Sequence, residues 1–238
     1  MAGRETSGPE GARADLFVDR LWILTPTPGL AEWRIQAVRR LAEDCGSVVR
    51  VMTAEAHDRA VALTSHTPQV VASIMAGLIA RAPAEDIQLS GPGLRDLTRI
   101  AGSSPELWDD ILSANAAEVE EVLGSFGEQI EAVRSALQSG ASVREMLHVG
   151  NAGRSRIPAK HGGPARAEDA VVSVSVDDRP GALARLFAAA ADADISIEDV
   201  RIDHMLGREN AVVDLSVQPE VAPTLRRLLA EGGWKVRS

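Results

Sequence analysis

The chain has 238 residues, 45% of them hydrophobic, and a net charge of -9. That length and content allow one or two domains with real cores, and the acidic balance excludes the basic stripe that a nucleic-acid surface needs to displace counterions from phosphate. Cys45 is the single cysteine, so neither an internal disulfide nor a cysteine-rich zinc site can form, as suits a reducing cytoplasm, and a small buried hydrophobe is its expected role. The first residues lack the apolar core of a signal peptide and no apolar run is long enough to span a bilayer, so a cytoplasmic protein without nucleic-acid or membrane partners is expected.

Residues 1–17 are polar, and residues 21–25 read as a short buried strand ended by Pro26. Ile35, Val38 and Leu41 form the apolar stripe of a helix over 32–44, Gly46 ends it, and residues 48–52 form a second strand. Strand, helix, strand is part of a βαβ unit, which needs neighbouring strands to cover its sheet on both faces; none follows. The Gly91-Pro92-Gly93 run neither follows a strand nor reaches a third correctly spaced glycine, so it is not a nucleotide fingerprint.

Residues 53–80 carry a long helical pattern with His57, His66 and an internal Pro68. The proline ring should kink or break the helix near Ser65 and so present His66. A histidine on a helix can equally be structural, and His57 is read that way. Residues 82–90 read as a loop. Leu94, Leu97, Ile100 and Ala101 then recur at helical spacing, which sends Arg95 and Arg99 to roughly one side of a short helix, as solvated charges or as an anion grip. Ser104 reads as an N-cap, Pro105 as the first helical residue and Glu106 as a partner for the helix dipole. Trp108 is either a core residue or a pocket wall.

From Pro105 one long helix is expected to about residue 138, before Gly140. Leu112, Ala116, Val119, Leu123, Phe126, Ile130, Val133 and Leu137 alternate steps of four and three along it, a seam suited to pairing with another long helix. Residues 150–168 read as a linker, with Arg154, Arg156, Lys160 and Arg166 solvated. A second domain follows over 169–238: a strand at 171–176, a turn at Asp178-Arg179-Pro180-Gly181, a helix at 182–191, strands at 195–202 and 211–217, a helix at 222–230 and a last strand at 234–236. This βαββαβ order is ferredoxin-like. The Pro-Gly turn leaves helix N–H groups free for a carboxylate, or is a structural turn with nothing bound.

Gly93-Leu-Arg-Asp-Leu-Thr-Arg-Ile-Ala101, then Ser104-Pro105, Trp108 and Asn115, resembles the signature of the helical domain of the prephenate dehydrogenase family. His57-Asp58 and Ser65-His66-Thr67-Pro68-Gln69 resemble two further family elements, in the expected order. Met1 to Gly8 is similar to a family segment lacking its opening His-Pro, which implies that the catalytic histidine and the glycine-rich nucleotide turn precede Met1.

The resemblance implies NAD- or NADP-dependent oxidative decarboxylation of prephenate in tyrosine biosynthesis. This chain would supply no catalytic, cofactor or metal residue and would bind no cofactor alone. Arg99 would grip a substrate carboxylate, His66 would position substrate, Trp108 would shape the pocket, and the seam would hold a homodimer. Asp178, Pro180, Gly181 and Leu183, before an Ile-Ser-Ile strand, resemble the ACT domain, an amino-acid-sensing module; with Ala182 they would meet an effector, tyrosine as pathway end product. The expected fold is therefore mixed: an α/β dinucleotide-binding remnant over 1–52, an all-α dimerisation domain over 53–149, a linker and a ferredoxin-like ACT domain. The alternative is a non-catalytic dimeric amino-acid sensor.

Overall fold

The computed structural model describes residues 9–157, 169–204 and 210–237. Residues 1–8, Lys160 and Arg166 lie outside the described residues. The chain divides into two compact units, residues 1–140 and 141–238.

In the first unit strand β1 (Leu21–Leu24) pairs in parallel with β2 (Val48–Val51), Leu21 opposite Val48, and helix α1 (Glu32–Asp44) makes the crossover. Parallel strands require such a crossover, because a tight turn can only reverse the chain. Gly46 is needed at the return from α1: its φ is +80°, and a Cβ there would lie 3.2 Å from the Val18 side chain and 3.3 Å from its backbone. Ser47, buried beside it, donates to the Phe17 carbonyl at 3.0 Å. Cys45 is half-buried and unpaired.

The long helical pattern forms as α2 (Ala54–Val61), a π turn (Ala62–His66) and α3 (Thr67–Ile79). Thr53 caps α2, its hydroxyl accepting from the Ala56 N–H at 3.1 Å. The distortion falls where Pro68 demands it. An α-helical step would press the proline ring against the Thr64 carbonyl and leave that carbonyl without its N–H. The chain instead takes a wider turn in which the Thr67 N–H reaches back to the Ala62 carbonyl.

The stretch expected as a loop contains one short helix, α4 (Ala84–Ile87). Next come α5 (Pro92–Thr98) and a 3-10 turn (Arg99–Gly102), both packed on α3. The expected single helix after Pro105 is two: α6 (Pro105–Ala114) and α7 (Ala116–Ser139). Asn115 separates them, with φ -123° and ψ 31°. Apolar spacing runs across the break, so the seam alone does not reveal the interruption. Gly140, at φ +71°, closes α7 in the left-handed conformation that glycine adopts without strain. Of the seam, Val119 is buried, whereas Phe126, Ile130 and Leu137 are 41%, 53% and 65% exposed, so the apolar row leaves the unit's own core as α7 proceeds.

The second unit opens with α8 (Arg144–Arg154), so the segment expected as linker starts as helix. Gly150 and Gly153 do not prevent this, since an interior glycine costs only about 1 kcal/mol relative to alanine. Then follow β3 (Ala170–Asp177), α9 (Ala182–Ala191), β4 (Asp199–His204), β5 (Asn210–Val217), α10 (Ala222–Glu231) and β6 (Lys235–Val236). The described strands form an antiparallel sheet in the order β4-β5-β3-β6. β4 begins later than its apolar pattern suggests. Asp194 turns the chain with φ +55°, and Ile195 is held to the end of α9 through the Ala190 carbonyl at 3.0 Å, so its side chain packs before pairing starts.

Alternation places Val172, Val174 and Val176 of β3 and Val213, Leu215 and Val217 of β5 on one face, against Leu186 of α9 and Leu225 and Leu229 of α10. Leu186 and Leu225 are completely buried. Leu186→Ala or Leu225→Ala should each lower stability by roughly 2–5 kcal/mol, the range for leucine truncation in a packed core. Phe187→Ala, at a position 36% exposed, should cost clearly less; urea unfolding followed on this unit checks the ranking.

Candidate functional site

The π turn places an unusual run of polar side chains inside the first unit: Ser65, His66, Thr67 and Gln69 are all buried. Buried polar groups need partners, because an unmade hydrogen bond loses the full hydration of the group. Gln69 donates to the Ser73 hydroxyl at 3.4 Å. Thr67 Oγ1 has no partner. His66 is held from two sides. Its ring packs edge-on against Trp108, centroids 6.1 Å apart and planes at 82°, and its Nδ1 lies 3.1 Å from the Asn115 side-chain nitrogen. The same nitrogen donates to the Asp58 backbone carbonyl at 2.9 Å. Three segments of the chain therefore converge on one imidazole.

Trp108 reaches His66 because α6 starts where Ser104 sets it. The Ser104 hydroxyl accepts from the Leu107 N–H at 3.3 Å and donates to the Glu106 carboxylate at 2.8 Å. Glu106 is held below its ordinary pKa, first by its own backbone N–H and then by Ser104. The expected cap, proline and acidic residue all take their places. Arg99 opens the 3-10 turn that packs on α3, the helix directly after His66. It is exposed, and its guanidinium has no hydrogen bond or ion pair among the described residues, as is also true of the Arg95 guanidinium. His66 and Trp108 are thus brought into contact, while Arg99 stands on a neighbouring turn with its guanidinium free. Asp178, Pro180, Gly181, Ala182 and Leu183 belong to the other unit.

His57 lies one turn before the distortion, with Nδ1 2.9 Å from the Asp58 carboxylate. Among the described residues no group of three or more His, Cys, Asp or Glu is placed to hold a metal ion, and no described helix is long and apolar enough to cross a membrane. The part played by Asn115 is the feature that periodicity conceals. Its signal is local: Asn115 followed three residues later by Glu118 has the form of a helix start.

Burial pushes the His66 imidazole below its ordinary value of 6.5, His57 adds to the depression, and Asp58 opposes both. The neutral ring is therefore the folded form near neutral pH. As pH falls below about 6.5 the unfolded chain takes up a proton before the native one does, so this contribution to stability is complete above that pH and is lost toward the depressed native value. Urea midpoints measured from about pH 7.5 down to about 5 should fall, and His66→Gln should flatten the fall. An unchanged pH slope in that variant would contradict the assignment.

Two family descriptions match the chain: "Prephenate dehydrogenase, nucleotide-binding domain" over residues 1–51 and "Prephenate dehydrogenase, dimerization domain" over residues 53–148. The "Probable prephenate dehydrogenase NovF" of Streptomyces niveus is 32% identical over 250 residues, covering 100% of this chain and 69% of that protein. The prephenate dehydrogenase of Bacillus subtilis is 27% identical over 230 residues, covering 92% and 60%. Among solved structures, the prephenate dehydrogenase from Aquifex aeolicus in complex with hydroxyphenyl propionate and NAD+ is 31% identical with a TM-score of 0.57, covering 66% of this chain and 56% of that one. The chain thus spans roughly half to two thirds of the length of these relatives. The π-turn histidine, its tryptophan and its asparagine all fall within the second matched segment, and the chain belongs to the prephenate dehydrogenase family.

Proposed function

We propose that the chain serves NAD- or NADP-dependent oxidative decarboxylation of prephenate to 4-hydroxyphenylpyruvate in tyrosine biosynthesis, a cytoplasmic reaction, and that residues 53–148 supply the substrate wall and the dimer contact. The observation that carries this is the His66, Trp108 and Asn115 cluster inside the segment matching the family's dimerization domain. A related structure is a complex with hydroxyphenyl propionate and NAD+.

The described β1–α1 connection does not suit a dinucleotide phosphate. Its single glycine, Gly29, has φ +82°, and α1 begins with Glu32, bonded to Gln36 at 2.6 Å. A carboxylate in the first turn repels a pyrophosphate approaching that helix start. The role proposed for His66, Arg99 and Trp108 is to bind and orient the substrate. A planar guanidinium grips a carboxylate through two parallel hydrogen bonds, which makes Arg99 the proposed anchor for one of the two prephenate carboxylates, with Trp108 bounding the ring.

For the second unit we infer a ferredoxin-like ACT module. Arg179 to Ala182 has the form of a type II turn, with Pro180 and then Gly181 at φ +83°, and the Ala182 N–H returns to the Arg179 carbonyl at 3.1 Å. Leu183 and Ala184 follow at the start of α9, where N–H groups have no partner within the helix. A tyrosine carboxylate is the proposed ligand, beside Asp178.

Calorimetry should detect prephenate binding that Arg99→Lys weakens by roughly 1.5–3 kcal/mol, the worth of a charged hydrogen bond, while Arg95→Lys changes little. A damaging Arg95→Lys with a silent Arg99→Lys would overturn the site. The exposed row on α7 should hold a homodimer, so light scattering should give twice the chain mass, and Phe126→Asp with Ile130→Asp should give monomers. Tyrosine should bind the second unit, and Gly181→Val, which forces a β-branched residue to positive φ, should abolish that binding.

A further inference from the structure

Asn115 stands at the first cap position of α7, where an asparagine side chain ordinarily accepts a hydrogen bond from the helix's own N–H groups. Here it makes no such bond. Its amide is turned away from the helix, and its nitrogen meets two groups from the other side of the fold, the Asp58 carbonyl at 2.9 Å and His66 Nδ1 at 3.1 Å. A carbonyl only accepts, so the Asp58 contact requires the NH2 and excludes the amide oxygen at that position. One amide proton goes to Asp58 and the second points at the ring. His66 Nδ1 must then be the lone-pair nitrogen.

A neutral imidazole carries one proton, so an accepting Nδ1 leaves that proton on Nε2. Nε2, on the far side of the ring from Asn115, has no partner among the described residues and is not one of the fully buried unpartnered side-chain atoms. It therefore keeps some exposure on a residue that is otherwise buried.

We propose that Asn115 is a positioning residue that locks His66 in the Nε2–H tautomer, so that the site offers substrate a hydrogen-bond donor at this point and never a base. The forfeited helix cap and the π turn that brings His66 to Asn115 both serve that lock. Protonation would set two N–H groups face to face at Nδ1, which agrees with the depressed affinity of the ring for a proton. His57 and Asp58 are the titratable neighbours whose charges bear on it. The tautomer does not depend on the identity of the substrate; the donor role rests on the prephenate dehydrogenase reading.

Long-range proton–nitrogen NMR on the chain labelled at its five histidines, with His66→Gln to assign the signal, reads the tautomer directly above neutral pH. His66 should show a pyridine-type Nδ1 and a pyrrole-type Nε2. Asn115→Asp, whose carboxylate accepts, should reverse the two; Asn115→Ala should give an averaged pattern. A wild-type ring protonated at Nδ1 overturns the proposal with no variant needed, and an unchanged pattern in either folded variant removes Asn115 from the role. Prephenate should then shift the Nε2 signal. Binding that leaves Nε2 unmoved sinks the donor role, whereas absence of prephenate binding counts against the function reading and leaves the tautomer lock standing.

Discussion

A missing N–H organises the first unit. Pro68 cannot donate to the carbonyl four residues back, and its ring cannot approach that carbonyl, so the helix between Ala54 and Ile79 must widen just before it. Widening by one residue rotates everything downstream relative to everything upstream. It turns Ser65, His66, Thr67 and Gln69 toward the interior, where a regular helix of this composition would bury apolar side chains. A buried polar stretch within a helical unit follows from that one covalent constraint.

Among these buried polar groups His66 gains its partner because α6 and α7 are not one helix. Asn115 interrupts the run, and the interruption releases an amide that reaches 57 residues back along the chain to the Asp58 carbonyl. That carbonyl already accepts the Ala62 N–H of its own helix; its second lone pair takes the amide. Distortion in one helix and a break in another are thus complementary. Each would be unfavourable alone, the first leaving His66 Nδ1 unpaired and the second giving up a cap, and together they pair Nδ1, the Asn115 amide and the Asp58 carbonyl.

The two units are stabilised by different means. The second has alternating strands whose Val and Leu side chains meet two helices in a dry core, with Leu186, Leu215, Leu225 and Leu229 fully covered. The first is thinner in buried apolar residues and leaves Trp33, Leu63, Ile74, Leu78 and the distal row of α7 exposed. Large apolar side chains in water mark surfaces made for contact. Membership of a family whose matched segment is described as a dimerization domain agrees with that distribution.

Much was legible in the sequence because it depends on near neighbours. Helix α1 and α9 boundaries follow from apolar spacing and flanking glycines, the α6 start from Ser104-Pro105-Glu106, the α7 end from Gly140, and the site of the π turn from Pro68. The strand and helix order of the second unit is likewise local, being a matter of period two against period three and a half. Tertiary structure alone decided the rest. That α6 and α7 part at Asn115 and that Ile195 packs before its strand begins depend on partners distant in the chain. His66 shows the division most plainly: its exposure to a distorted helix was written in Pro68, but its tautomer is set by an amide proton that only a folded chain can bring to it.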